Sequence, residues 1–479
     1  MADSTPTTRS GGIVSVLAVT GVVAAFMHTL VVPLIGQLPS MLHTTPSGAA
    51  WVITVTLLAG AVTTPVIGRL GDLYGKRRML LISTFPLIAG SVISALADTA
   101  APMIIGRGLQ GMGMGVIPLG ISAMRDLLPP ERLHSAIALM SSSMGIGGAV
   151  AMPIASTVAE YASWRALFWG SAALSALVAV LIWLLVPATP TRATGRLDVV
   201  GVLGLGAGLV CLLLGVSNGA DWGWASGTTI GLLAASPIIL VVWGWWELRR
   251  SDPLVDLRVT ARKQVLLTNL ASILVGFAMY AQSLVVMQVL QLPEATGYGL
   301  GQSMLAAGLW MAPSGLVMTA VSPLGGRLSA ARGPKVTLIV GSLVIALGYG
   351  SSMALLGSTW GLLIVACVCN MGIGVAYGAM PALIMGAVPP SDTAAANSFN
   401  SLMRSIGTSV SAALVGVVLA QMTVRLGGHT LPSESGFRTC MLIGCGIALL
   451  AAATASAIPA HPARSSDDDA VATEAVAVS

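Results

Sequence analysis

Apolar runs of about 20 residues follow one another along nearly the whole chain, parted by short polar stretches. That is the length a helix needs to cross the hydrocarbon of a bilayer. A helix also satisfies its backbone hydrogen bonds within one segment, which the dry bilayer core demands. A β-barrel, the other spanning structure, requires polar and apolar residues to alternate, and the run from Leu174 to Val186 does not alternate. The pattern predicts an all-α integral membrane protein with about fourteen transmembrane helices. Six fall roughly at 13–36, 49–68, 79–98, 102–124, 134–158 and 165–187. Two follow at about 198–218 and 228–247. Six more lie near 265–290, 303–325, 336–357, 360–386, 397–422 and 438–459. The first span is long and runs through Pro33 and Gly36 toward the second without a small-residue cleavage site, so it reads as a helix rather than a removed leader.

Composition agrees. Only 9% of the 479 residues are charged, against about 25% in soluble chains. The charge that exists is sided. Arg69, Lys76, Arg77 and Arg78 follow span 2, Arg125 and Arg132 follow span 4, and Arg192 and Arg196 follow span 6. Arg249, Arg250, Arg258, Arg262 and Lys263 follow span 8, and Arg327, Arg332 and Lys335 follow span 10. The opposite loops hold only Arg165, Arg425 and Arg438. Short basic loops stay in the cytoplasm, which places both termini there and the chain in the inner (cytoplasmic) membrane. The net charge of +5 therefore reads as topology, and no soluble basic face for nucleic acid is present. Cys211, Cys367, Cys369, Cys440 and Cys445 all sit in apolar spans without ligand partners and read as packing residues. No cofactor or metal is expected. The absence of a GxxxxGK[ST] run argues against ATP hydrolysis by the chain.

The chain repeats itself. Gly68-Arg69-Leu70 returns 258 positions later as Gly326-Arg327-Leu328, and Gly75 returns as Gly333, while Asp72 becomes Ala330. Leu128-Pro129-Pro130 is echoed by Val388-Pro389-Pro390; beyond them Ser141, Gly147 and Val150 match Ser401, Gly407 and Val410 at an offset of 260. Spans 1–6 and 9–14 therefore read as two pseudo-symmetric six-helix bundles, with spans 7 and 8 inserted between them. The expected division is a cytoplasmic tail (1–12), a first bundle (13–197), two inserted helices and a linker (198–264), a second bundle (265–459) and a disordered cytoplasmic tail (460–479). Trp222, Trp224, Trp243, Trp245 and Trp246 read as interfacial anchors of the inserted pair.

Several motifs are similar to those of the major facilitator superfamily, in its fourteen-span drug:proton antiporter branch. The run Gly68 to Leu80 resembles the signature loop after span 2. Arg107-Gly-Leu-Gln110-Gly111 resembles the arginine and Gln-Gly of span 4, Trp164-Arg165-Ala-Leu-Phe168 the start of span 6, and Arg404-Ser-Ile-Gly407 the Arg-x-x-Gly of the second half. The resemblance implies a monomeric secondary transporter, not an enzyme, exporting small molecules with a proton as coupling ion. Two departures stand out. Span 1 has Met27-His28-Thr29 and no acid, and span 5 keeps Pro153 while losing the glycines usually beside it.

The resemblance assigns Gly68, Arg69, Asp72, Gly75, Lys76, Arg77 and Arg78 to a cytoplasmic gate; glycines there allow a tight hairpin, and a carboxylate among cations is held by charge-assisted bonds. Topology anchoring is the plainer reading of the same charges. Arg107 is a charge within a span and so a functional candidate. Gln110 lies on its face, and the resemblance ties the pair to proton coupling. His28 can titrate near neutral pH and stands where relatives carry an acid, although a lone histidine is commonly a satisfied hydrogen-bonding residue. Asn397, Asn400 and Arg404 form a polar stripe on one face of span 13, and Tyr280, Gln282 and Gln288 add polar positions in span 9; these are the candidates for a cavity wall. Pro153, Gly147 and Gly148 are candidate kink positions in span 5. Arg107 and Arg404, without a buried acid, leave open a preference for anionic or neutral solutes. A membrane enzyme or receptor would require a catalytic cluster or a soluble domain, and the sequence has neither.

Overall fold

In the computed structural model the described residues are 7–31, 34, 38–44, 46–189, 195–426 and 429–459. The tail at 460–479, Pro33, Gly36 and Arg192 lie outside them. Fourteen helices among the described residues are long and apolar enough to cross a membrane. The first half contains α1 (Thr7–Thr29), a one-turn α2 (Leu38–Met41), α3 (Pro46–Tyr74), α4 (Lys76–Ala95), α5 (Ala100–Met112), α6 (Val116–Leu127), α7 (Pro130–Tyr161) and α8 (Arg165–Leu185). The inserted pair is α9 (Val199–Trp222) and α10 (Gly227–Glu247), followed by a one-turn α11 (Leu257–Thr260). The second half contains α12 (Lys263–Gln291), α13 (Met304–Arg332), α14 (Pro334–Leu355), α15 (Thr359–Ala387), α16 (Thr393–Gln421) and, after a hairpin of β1 (Thr423–Leu426) and β2 (His429–Pro432), α17 (Glu434–Ser456).

The apolar core has two main clusters. One draws on residues from Ile13 to Val186 together with Met385 and Ala394 of the second half, the other on residues from Ala271 to Ile458, and Met144 packs against both. The halves meet where α3 crosses α16 and where α13 crosses α7. α9 packs on both α3 and α16, and α10 packs on α9, so the inserted pair straddles the junction from outside. Leu177, Val180, Trp183 and Leu184 of α8 and Ile238, Val241 and Val242 of α10 are exposed, surfaces that suit lipid rather than water.

The basic run after span 2 differs from expectation. Residues 68–74 are not a loop: α3 continues to Tyr74, and α4 starts at Lys76. Gly75 alone makes the turn, with φ of 94°, and its counterpart Gly333 repeats it at 84°. Gly68 serves packing instead. A Cβ there would lie 2.6 Å from the Ala394 carbonyl oxygen, and one on Gly326 would lie 3.1 Å from that of His134. The two crossings of the halves are thus built the same way, with a glycine of α3 or α13 against the start of α16 or α7.

α7 runs as helix through Pro153, one of the expected kink positions. A Cβ on Gly147 would meet the Val22 carbonyl oxygen at 2.7 Å, so this glycine lets α1 and α7 touch; Gly148 faces nothing nearer than Thr29 Oγ1 at 3.9 Å. The break in helix geometry falls in span 4, at a 3₁₀ turn over Gly113–Gly115, where Leu87 occupies the place of a Gly113 side chain. The two strands pair antiparallel, Thr423 opposite Pro432, and Tyr298 donates from its hydroxyl to the Pro432 carbonyl. Short strands between two spans carry no 20-residue signal, and none was expected here. α1 begins at Thr7, ahead of the start near 13 that hydropathy suggests, because helix geometry extends past the apolar run.

Gly407 gives a test of this packing. A Cβ there would sit 2.0 Å from the Ile273 carbonyl oxygen, whereas one on Gly416 would meet nothing. Gly407→Ala is expected to destabilise the purified protein by about 1–3 kcal/mol, read as a lower thermal unfolding temperature in detergent, with Gly416→Ala unchanged.

Candidate functional site

The face carrying Gly75, Gly333 and the linker after α10 is called here the basic side. On it the junction between halves is polar and buried. The Asp72 carboxylate accepts the backbone N–H groups of Ala394 at 3.1 Å and Ala395 at 2.9 Å, the first turn of α16. The residue preceding α16, Asp392, makes no side-chain cap of its own. A carboxylate from the other half therefore supplies the cap, where N–H groups lack helical partners and the helix dipole is positive. Asp392 instead pairs with Arg69 at 3.3 Å.

Lys76 holds the next layer. Its Nζ donates to Asp126 at 2.6 Å and Thr393 Oγ1 at 3.0 Å, and lies 3.9 Å from Asp72. Ser122 Oγ donates to the Thr393 carbonyl and accepts from Asn397 Nδ2, both at 3.1 Å. Asp72 and Lys76 are almost fully buried. The expected bond of Asp72 to its neighbouring cations is thus a minor contact, since Lys76 prefers Asp126 and Arg69 prefers Asp392. Arg77 turns to α8, donating to the Trp183 carbonyl at 2.6 Å, and Arg78 is exposed. Asp126, at the end of α6, is a partner the sequence reading missed; an acid next to Arg125 on the basic side was the available signal.

Arg107 forms a second node. It is 1% exposed and about 10 Å along α5 from the opposite side. Its guanidinium donates to the Met27 carbonyl at 2.8 Å, the His28 carbonyl at 3.4 Å and Gln110 Oε1 at 2.6 Å. Gln110 passes its amide N–H to Ser91 Oγ at 2.8 Å. Met27 and His28 lie in the last turn of α1, where carbonyls have no helical acceptor role to fill. Arg107 thus caps α1 from within the protein. The His28 ring is half-buried, and its Nδ1 has no hydrogen-bond partner.

The third node lies near mid-depth. Arg404 is roughly 16 Å along α16 from the basic end, about half of a ~30 Å hydrocarbon slab. Nη1 donates to Asn400 Oδ1 at 2.7 Å, Nη2 to Ser401 Oγ at 3.1 Å, and the guanidinium sits 4.7 Å from the centroid of the Tyr377 ring. Asn400 donates to Asn269 at 2.8 Å and Ser272 at 2.7 Å on α12. Tyr377 reaches the first half through its hydroxyl, 3.7 Å from Met144 Sδ. No carboxylate pairs with Arg404 among the described residues.

Two of the span 9 candidates do not join this node. Gln282 is fully buried and accepts weakly from Asn370 at 3.5 Å; Asn370 also donates to Ser314 Oγ at 3.2 Å. Asn370, missed in the sequence, is the one amide in α15 and lies 260 positions after Gln110. Gln288 is exposed and lies five turns beyond exposed Leu270, hence on the same outward face. The even apolarity of α12 hid which face points inward. Tyr280 is half-buried. Glu247 was also missed as a buried acid: it is 2% exposed and accepts the Leu254 N–H at 2.9 Å, tying α10 to the linker.

Paired half-bundles with polar groups at mid-depth are the architecture of membrane transporters. The sequence profile of the Major Facilitator Superfamily matches residues 17–412, and the chain belongs to that family, whose members move small-molecule substrates and are not enzymes. It is 27% identical over 416 residues to an uncharacterized MFS-type transporter of Mycobacterium tuberculosis, with 86% of this chain and 60% of that protein covered. The chain thus spans three fifths of the length of that relative. It is 27% identical over 384 residues to the multidrug resistance protein Stp of the same species, covering 78% of this chain and 69% of that one. To the tetracenomycin C resistance and export protein of Streptomyces glaucescens it is 26% identical over 394 residues, covering 79% and 70%. In fold it is similar to the human organic anion transporter MFSD10 (TM-score 0.67, 14% identity, 94% of this chain and 100% of that one). The proton:xylose symporter XylE gives 0.65, at 14% identity, covering 95% and 97%.

Arg107→Lys keeps the charge but loses the planar fork that reaches Met27, His28 and Gln110 together. It is expected to cost about 1.5–3 kcal/mol, measured as a drop in thermal unfolding temperature, while Arg332→Lys at an exposed position changes it little.

Proposed function

We propose that the chain is a secondary active transporter that exports hydrophobic or amphipathic small molecules by alternating access, driven by protons. The observation that carries this reading is where the halves are bonded. Hydrogen bonds between them involve Arg69, Asp72, Lys76, Ser122, Ala138 and Ser142 of the first half and Thr319, Ser322 and residues 392–397 of the second, with the Met144–Tyr377 contact closing the set at mid-depth. All lie between the basic side and the middle of the helices. With the basic side in the cytoplasm, this is an outward-facing arrangement sealed below its site. Gate opening would require Asp72 to leave the α16 N-terminus and Lys76 to release Thr393. The names of the resistance proteins among the relatives support an export direction.

In this reading a substrate sits over Arg404, Tyr377 and Met144, where the two halves touch. Apolar surface and the soft sulfur of Met144 accept varied ligands. His28, next to the Arg107 node, is the remaining side chain for a proton in the first half. Asn397 and Asn400 set the polar wall below.

Arg404 favours a second reading. A cation at mid-depth without a carboxylate is costly unless something else compensates it. An anionic or carbonyl-bearing solute would do so, which points to anionic or neutral substrates.

Proteoliposomes with an imposed pH gradient separate these readings. Cationic, neutral and anionic dyes are compared, with gradient-dependent movement expected for the native protein. Cation movement would discard the anionic reading, and transport indifferent to the gradient would discard proton coupling. Arg404→Gln is expected to slow movement of an anionic dye about tenfold or more. His28→Ala is expected to abolish gradient dependence; unchanged pH-driven efflux would remove His28 from the mechanism.

A further inference from the structure

A second built surface lies outside the junction, on the basic side. Tyr74, Gly75, Arg77, Arg78, Leu81, Trp183, Ala188 and Thr189 enclose a groove of about 350 Å³ between the end of α3, the start of α4 and the end of α8. Among the described residues no carboxylate lines it. Arg78 makes no hydrogen bond or ion pair among the described residues. Arg77 is fixed across the groove, its Nη2 on the Trp183 carbonyl and its backbone N–H on Thr189 Oγ1 at 3.2 Å; its Nε is buried with no partner.

The N-terminus of α4 adds to this. The preceding residue is Gly75, which has no side chain to cap the helix. The Arg77 N–H is taken by Thr189, while the other first-turn N–H groups have no side-chain cap and the positive end of the dipole faces the groove. Two guanidinium groups, one orphaned buried N–H and an uncapped 20-residue helix together favour a phosphate-bearing anion.

The surroundings identify its source. Arg78, Ile82 and Phe85 are spaced i, i+4 and i+7 and so share one face of α4. Ile82 is 49% exposed and Phe85 72%. Beside them α8 exposes Leu177, Val180 and Leu184. Trp183 and Tyr74 are exposed at the rim, the depth at which such rings meet headgroups. Charge at the mouth thus leads into an apolar strip running toward the bilayer centre.

We propose that this groove binds an anionic phospholipid, with the phosphate between Arg77, Arg78 and the α4 N-terminus and the acyl chains along Ile82, Phe85, Val180 and Leu177. Basic pockets at helix ends suit such headgroups. The lipid would bridge α4 to α8 beside the turn that carries Lys76, so its occupancy would bear on the junction without touching it.

Native mass spectrometry of the full-length protein in detergent tests the site, with phosphatidylglycerol and phosphatidylcholine as probes. Phosphatidylglycerol adducts are expected to survive where phosphatidylcholine adducts do not. Arg78→Gln, at an exposed position without partners, is expected to weaken phosphatidylglycerol binding about tenfold, and Arg77→Gln by at least as much. Arg332→Gln, an exposed cation on the same side, should leave binding unchanged. Equal retention of the two lipids, native-like binding by Arg78→Gln, or equal losses with Arg332→Gln would overturn the proposal. Displacement of phosphatidylglycerol by inorganic phosphate at similar concentration would overturn the lipid as occupant and leave a free-anion site.

Discussion

The arrangement of the two halves depends on one capping interaction, the Asp72 carboxylate on the N–H groups of Ala394 and Ala395. It joins helices of different halves, and it does so where a negative charge meets the positive end of a 29-residue helix. Around it the remaining charges sort themselves into Lys76 with Asp126 and Arg69 with Asp392. Removing Asp72 would leave buried N–H groups without partners, and such groups cost more than the bond itself is worth net. The duplication sharpens this. α13 approaches α7 through Gly326 as α3 approaches α16 through Gly68, but the position matching Asp72 is Ala330. Both crossings pack closely, and only one is capped from across the junction. In the transport cycle proposed here, that asymmetry makes the first crossing the one that responds to charge.

The two cations buried in the membrane have different physical standing. Arg107 is saturated, with the carbonyls at the end of α1 and Gln110 taking its donors, so its geometry is that of a structural cap. Neither has a counterion among the described residues; Arg404 differs in its aromatic ring and in its position at the contact of the halves. A site that must bind and release a ligand is better served by the second arrangement, since a fully satisfied cation has nothing to offer.

Much of this architecture was legible in the chain. Fourteen apolar runs, their sided charge and the offset of about 260 positions gave the spans and the duplication. Gly75 and Gly333 were visible as a repeated pair, and each makes the left-handed turn between two helices. The partners of the charges were not legible. Asp72 meets residues 322 and 323 positions away, and adjacency in sequence pointed instead to Arg69 and Lys76. The faces of α12 were also hidden, because apolar residues surround it and a Gln toward lipid looks like a Gln toward a cavity. Gly68 looked like a turn residue because the helix continues past its apolar run. These misses share a cause: hydropathy reports contact with lipid, and the junction between halves is defined by packing and caps that leave no periodic trace.

The most direct measurement is the distance between spin labels across the basic side in the full-length protein reconstituted in lipid. One label goes on the basic-side end of α3 or α4 and its partner on the basic-side end of α15, with a second pair across the opposite ends of α7 and α13. The account predicts short, narrow distances on the basic side for the native protein. In Asp72→Ala it predicts longer and broader ones there, with a reciprocal shortening at the opposite side. Unchanged distributions on both sides in Asp72→Ala would contradict the claim that this cap holds the halves together.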